Sequence, residues 1–367
     1  MWKANTAMFD EMIDPDSDGA RQPYASLFEW LNEQNFSKLC NQSKQAEELF
    51  RRIGITFNVY GQKDAQERLI PFDIIPRILS AQEWRVMEAG IVQRVAAINA
   101  FLDDVYNAQE IIKAGIIPSD LINRNKAFLP QMCGFKPPGG IYTHVVGVDI
   151  VRTDVNEFFV LEDNARVPSG VSYMIENRAT MLQMFPELFT SNHIKQVSNY
   201  PKQLFRSLAA GARDIADNPN IAVLTPGIFN SAYYEHSFLA DEMGVDLLQG
   251  SDLEVRDGKV MIRTTAGIEP VDVIYRRIDD EFIDPLSFDP QSVLGTPGLF
   301  DAYRSGNVML ANAPGSGIAD DKAIYSYMPV IIEFYMGAKP LLNNIPTWRC
   351  GNPDDLGYVL DNLAELV

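Results

Sequence analysis

Apolar residues along this chain recur at two different periods, and the switches between those periods divide it into elements. Spacing of three and four predicts amphipathic helices over residues 26–34 and 37–54, the second closed by Gly54. The longest helical tract runs over residues 80–115. There Ser80 and Glu83 are placed as a capping box, and Trp84, Met87, Ile91, Val95, Ile98, Phe101 and Leu102 form one apolar stripe. A further helix is expected over residues 172–189. Shorter apolar runs read as strands at 56–61, 144–151, 157–163, 221–225, 245–250 and 271–279. Residues 69–79 are apolar but carry two prolines, so an irregular or edge segment is expected there. Asp257-Gly258 marks the turn of another hairpin within 253–265. Residues 308–335 read as strand, glycine-rich loop, then helix, and residues 9–23 as a polar, Asp-rich loop.

The stretch 144–170 carries the most chemistry. Two apolar runs flank the polar segment 153–156, the pattern of a β-hairpin. With Val155 and Asn156 as the turn, Asp154 pairs with Glu157, Thr153 with Phe158, and, continuing outward, Asp149 with Glu162. Asn164 lies two residues past Glu162, hence on the same face. Asp149, Glu162 and Asn164 then converge as oxygen ligands of the kind a hard cation such as Mg²⁺ takes. The competing reading leaves Glu162 facing water and uses Asp and Asn only as turn formers, since Val-Asn is not a favoured hairpin turn.

Past the hairpin, Ser169, Gly170 and Ser172 stand at a helix start, where backbone N–H groups and hydroxyls suit a phosphate, with Arg166 and Arg178 able to add charge. An N-cap serine explains the same residues. Residues 221–250 read as strand, loop, helix and strand, a βαβ half-unit. Asn230, Ser231, Tyr233, Glu235 and His236 fall where the strand's carboxyl end opens, the place where open α/β sheets bind ligands; His236 by itself reads as a surface residue. No G-x-G-x-x-G follows a strand, so dinucleotide binding is unsupported. Of Arg276 and Arg277, one is expected to grip a substrate carboxylate, with Arg276 the candidate, and the other to pair with Asp279 or Asp280.

Composition changes this picture mainly by exclusion. The 367 residues carry 31 basic and 49 acidic side chains, a net charge of −18, which argues against a general nucleic-acid binder. Such acidity serves solubility or attracts a cationic substrate. Three scattered cysteines suggest no disulfide framework, and Cys133 reads as a packed thiol. Three histidines without close Cys/His spacing make a structural zinc site improbable. No basic-then-apolar leader and no membrane-length apolar run is visible, so the expectation is a cytoplasmic protein without membrane contact.

The strings FNVYG, PFDIIPR, PPGGIYTHVVGVDIVR, LEDNARVPSGVSYMIENR, VDVIYRRIDD and NAPGSGIADDKAIY together resemble the circularly permuted ATP-grasp family related to glutathionylspermidine synthase. The resemblance runs from about Thr56 to the last residue. It implies an α/β fold with α+β elements, a circularly permuted ATP-grasp with an inserted Rossmann-like pre-ATP-grasp domain. The corresponding division is a helical appendage (1–55), an ATP-grasp portion with the ligand hairpin (56–199), the inserted domain (200–305) and the start of the remaining ATP-grasp portion (306–367).

The implied activity is ATP-dependent ligation of a small-molecule carboxylate to an amine through an acyl phosphate, with ATP and Mg²⁺ as cofactors. Asp149, Glu162 and Asn164 become the metal ligands and Arg166 the catalytic cation. Ser169, Gly170 and Lys322 become nucleotide contacts, the lysine by its place in the Asp-Lys pair that opens a helix in relatives. Capping by Asp320 or Asp321 explains that pair equally. Arg94 reads as a substrate contact or as a solvated or paired arginine. In the family, the segment corresponding to Ala364–Val367 continues into a lysine and a glycine-rich loop over the ATP phosphates. Two expectations stay open: a piece of a longer protein, or a version that binds ATP poorly. A non-catalytic scaffold and a small-molecule kinase are the alternative functions.

Overall fold

The computed structural model describes residues 9–14, 16–17, 19–57, 68–190, 192–265 and 267–366. The expected strand and glycine turn at 56–61 lie outside these residues from Asn58 onward; Thr56–Phe57 is a short strand paired with Arg68–Leu69. The chain divides into two compact units, one made of Met1–Ala81 and Ser169–Leu310, the other of Gln82–Pro168 and Ala311–Val367.

The first unit begins with helices Ala25–Glu33 and Phe36–Ile53. Gly54 ends the second at φ 80°, a left-handed value that glycine adopts without penalty. Their apolar stripes supply Leu27, Leu31, Leu39 and Phe50 to a core completed by Met181, Phe185 and Leu188. The expected helix at 172–189 is two helices, Val171–Met184 and Pro186–Thr190. Pro186 disfavours the helical conformation at Phe185, whose φ and ψ are −137° and 57°. A four-stranded sheet follows in the order Met309–Ala311, Val273–Arg276, Ile221–Leu224, Asp246–Leu248. The last three are parallel neighbours, and Ile221–Leu224 and Val273–Arg276 are buried at every position, as a sheet covered on both faces requires. Helices Tyr200–Gly211 and Tyr233–Met243 belong to this layer. The Asp257-Gly258 turn forms as expected, with φ 51° and 75°, joining Leu253–Arg256 to Lys259–Thr264.

In the second unit the long tract ends earlier than its periodicity suggests. The helix spans Ala81–Tyr106, and Gln109 has φ 56°. The buried Asp104 carboxylate accepts the N–H groups of Glu110 (2.8 Å) and Ile111 (2.9 Å), so it caps a new short helix, Glu110–Lys113, and stops the old one from continuing. Met87, Ile98, Phe101 and Leu102 of the stripe are buried, whereas Trp84 is exposed. The hairpin, Gly147–Asp154 and Glu157–Asn164, packs Val148, Ile150, Phe158 and Val160 against Ile91, Tyr325 and Leu342. Asn343–Asn344 adds a short parallel strand beside it. Leu342 fits against the long helix because residue 90 is glycine; a Cβ there would overlap the leucine side chain. The expected helix after the glycine-rich loop is likewise two, Lys322–Tyr325 and Met328–Met336, the second with Pro329 in its first turn.

Candidate active site

The hairpin register decides which side chains meet. Asp154 pairs with Glu157, but Phe158 faces Arg152 rather than Thr153, which corrects the simple outward count. A second irregularity falls between Asp149 and Ile150, where the partner strand carries Leu161 as an extra residue. The two shifts are opposite and cancel. Asp149 is therefore opposite Glu162, and Gly147 opposite Asn164.

At this strand end the register brings the side chains of Asp149, Glu162 and Asn164 to one face, with Asp149 opposite Glu162 and Asn164 two residues further along. Lys322 places its ammonium on the Glu162 carboxylate. Lys322 lowers the Glu162 pKa, whereas desolvation, together with the neighbouring Glu162 carboxylate, raises that of Asp149. Two carboxylates with an amide oxygen form a donor set that suits a hard divalent ion. Among the described residues no group of three or more His, Cys, Asp and Glu gathers as a metal site, so this mixed carboxylate–amide set is the fit on offer.

Alternation sends the residue between them to the other face. Asp163 is buried and takes two bonds from Arg94, 2.7 Å from Nε and 2.6 Å from Nη2. Arg94 also donates to Asn344 Oδ1 (2.8 Å) and lies over the Tyr325 ring. Of the readings open for Arg94, the structure shows a paired one. The Tyr325 hydroxyl in turn donates to the Val160 carbonyl.

The glycine-rich loop packs beside this strand end. Asn312, not singled out from the sequence, accepts the His144 and Val145 N–H groups (2.7 and 3.0 Å) and donates to the Val145 and Ala165 carbonyls (2.6 and 2.8 Å). One buried amide thus ties the chain entering the hairpin to the chain leaving it. Asp320 accepts the Ala165 N–H and lies 3.9 Å from Arg166 Nε. A Cβ at Gly317 would come within 2.9 Å of Arg166 Cδ, so that glycine makes room for the arginine stem. Asp321 caps the helix that Lys322 opens, accepting from Ala323 N (2.8 Å) and Ile324 N (3.3 Å). The capping reading of this pair holds, with Asp321 as the cap and Lys322 turned to Glu162.

Residues 76–367 match a circularly permuted ATP-grasp family. The chain belongs to that family. Among relatives of this ATP-grasp chain is an uncharacterised protein of Synechocystis sp., 49% identical over 98% of this chain and 74% of its own length. An uncharacterised Mycobacterium tuberculosis protein is 47% identical over 98% of this chain, which spans 64% of that relative. A Frankia alni protein with the provisional name glutamate–cysteine ligase 2-3 is 39% identical over 98% of this chain and 42% of its own length. The apo structure of a glutathione synthetase-like effector from Globodera pallida superposes with a TM-score of 0.51 at 11% identity. It covers 91% of this chain and 80% of that one, and shows the shared ATP-grasp fold. No described helix is long and apolar enough to cross a membrane.

The remaining candidates lie in the first unit. Glu235 is buried, and its Oε2 accepts the Gly170 N–H (2.7 Å), the Ser172 N–H (3.0 Å) and the Ser172 hydroxyl (2.8 Å). A side-chain carboxylate therefore already occupies the start of helix Val171–Met184, where sequence reasoning placed a phosphate. The positive helix end attracts either anion for the same reason. Its other oxygen meets Arg277 at 3.4 Å. Arg276 is buried and pairs with Asp280 at 2.7 Å while donating to the Ile278 carbonyl. Asn230 Oδ1 accepts the Ala232 N–H (2.9 Å), and Ser231 lies beside it in the same loop, partly buried. Ser169 is exposed, and Arg178 donates to the Lys195 carbonyl. Cys133, expected to be packed, is exposed, because the 3₁₀ turn Pro130–Met132 buries its own Met132 instead; Cys40 and Cys350 are exposed too.

His236, expected at the surface, is buried, with Nδ1 2.9 Å from the Thr225 hydroxyl. Burial, with Arg277 adding repulsion, pushes its pKa down to about 3; burial pushes His144 down to about 4. Both rings are neutral in the fold but protonate below about 6.5 once unfolded, so the unfolded chain gains protons and stability falls with acidity. The loss is expected below about pH 6.5, at about 1.4 kcal/mol per pH unit for each ring. It ends near pH 4 for His144 and pH 3 for His236. Urea unfolding of wild type and His236→Gln at pH 7.5 and about 5.5 should show a drop smaller by about 1.4 kcal/mol in the variant. Equal drops would mean that this ring titrates normally in the fold.

Proposed function

We propose that the chain is part of an ATP-dependent ligase that joins a small-molecule carboxylate to an amine. The observation carrying this reading is the convergence of Asp149, Glu162 and Asn164 at one strand end, with Lys322 and Arg166 nearby in the same unit, in a chain of the circularly permuted ATP-grasp family. A substrate carboxylate oxygen attacks the γ-phosphorus, ADP leaves, and an amine displaces phosphate from the acyl phosphate to give the amide. Such chemistry depends on alignment and charge neutralisation more than on a covalent nucleophile.

Asp149, Glu162 and Asn164 would hold Mg²⁺, which when bound supplies positive charge to phosphate oxygens. Arg166, its stem fixed against Gly317, holds a guanidinium for the phosphoryl group in flight, and Lys322 offers an ammonium to the nucleotide. In the first unit Ser169 and Gly170 are proposed as phosphate contacts, with the Gly170 N–H exchanging Glu235 for the anion. Asn230 and Ser231 are the substrate contacts this reading favours, because Glu235 and Arg276 are buried in ion pairs. The names of the Frankia and Globodera proteins favour substrates of the amino-acid and peptide class.

The test incubates the chain, and a version extended to the length of its relatives, with ATP, Mg²⁺ and pooled amino acids and polyamines, followed by mass spectrometry. An amide with stoichiometric ADP and phosphate supports the ligase. A stable phosphorylated metabolite would sink the amide-forming step and leave a kinase. No nucleotide turnover in either version would favour a scaffold.

A further inference from the structure

We propose that Lys322 is an exchangeable counter-ion for the Asp149–Glu162 pair, yielding its place when a divalent cation binds and passing its ammonium to the nucleotide phosphates; this rests on the metal reading above. The strand end carries two ion pairs of opposite character. Arg94 and Asp163 are only 1% and 0% exposed, held by two bonds, and cannot separate without stranding a buried charge. Lys322 and Glu162, on the adjacent residue's side of the strand, are 68% and 31% exposed. Their pair can open into water at little cost.

The electrostatics call for such a cation. Glu162 faces Asp149 across the hairpin, so two carboxylates stand side by side and repel if both are charged. The lysine satisfies that pair with a single positive charge, and a divalent ion would do so with two. Backbone geometry restricts the motion to the side chain. Lys322 is the first residue of its helix, and Asp321 fixes that helix start through Ala323 and Ile324. Release of the ammonium therefore requires only rotation about the lysine stem. The ammonium then stands free beside a newly charged site, which couples metal binding to nucleotide binding with the same sign in both directions.

The experiment titrates Mn²⁺ without nucleotide, following the sharp paramagnetic resonance signal of the free aqueous ion, against wild type, Lys322→Met, Lys322→Arg and Asp149→Asn. Removing an exposed competing pair should tighten Mn²⁺ binding about fivefold or more in Lys322→Met. Lys322→Arg, which keeps the charge, should stay close to wild type. Unchanged or weaker binding by Lys322→Met, with wild-type binding intact and lost in Asp149→Asn, overturns the exchange while leaving the metal reading standing. No Mn²⁺ binding by any of these proteins overturns the metal reading and the exchange with it.

Discussion

Asp149→Asn should lower the affinity for a non-hydrolysable ATP analogue in the presence of Mg²⁺ by about 100-fold, or roughly 2.7 kcal/mol. The substitution keeps the shape and one oxygen but removes the charge that a hard cation needs. Loss of an outer-sphere partner alone commonly costs a metal site 10- to 100-fold, so loss of a ligand's charge belongs at the upper end or beyond. The fold should be untouched. Asp149 is exposed, and Glu162 opposite it keeps Lys322. Calorimetric titration with and without Mg²⁺ separates the outcomes, since the two proteins should differ only when the metal is present. Equal Mg²⁺-dependent affinities would count against a metal at Asp149 and for the scaffold reading.

Arg94→Met is expected to cost about 3–5 kcal/mol of stability, the largest effect of any single substitution discussed. It leaves the Asp163 carboxylate buried with no counter-charge and removes the donor to Asn344. Urea unfolding measures the loss, and the double variant Arg94→Met with Asp163→Asn should recover a large part of it. That recovery separates an uncompensated charge from a packing defect, because both variants lack the same arginine. Failure of the double variant to recover stability would show that the arginine matters through its packing over Tyr325 rather than through Asp163. Since Glu162 and Asn164 flank Asp163 in the chain, this pair also anchors the backbone that presents two of the proposed ligands.

Local chemistry was legible without coordinates wherever it was decided locally. Gly54 and Asp257-Gly258 end and turn the chain where expected, because a left-handed φ is a property of those residues and not of their neighbours. The strands at 221–224 and 273–276 and the helix at 233–243 fall within their predicted runs. The pairing of Asp149 with Glu162 was also anticipated, although by a count that missed two irregularities which happen to offset each other.

Tertiary structure decided the rest. Periodicity carried the helices at 80–115 and 172–189 through breaks set by the Asp104 cap and by Pro186. Polar side chains were misjudged most, since a sequence shows that Glu235, Arg276 and His236 are polar but not what they meet. Glu235 reaches Gly170 and Ser172 from more than sixty positions away, and Arg94 reaches Asp163 from 69 away. Asn312 gave no signal beyond its place before a Gly-Ser-Gly loop, yet its amide binds both ends of the hairpin. By itself the sequence determined which segments form strands, helices and turns and which face of the hairpin carries Asp149, Glu162 and Asn164, because φ preference and side-chain alternation act within a few residues. Which buried charge pairs with which was settled only by the fold. Desolvation forces each such group to find a partner, and that partner can lie anywhere along the chain.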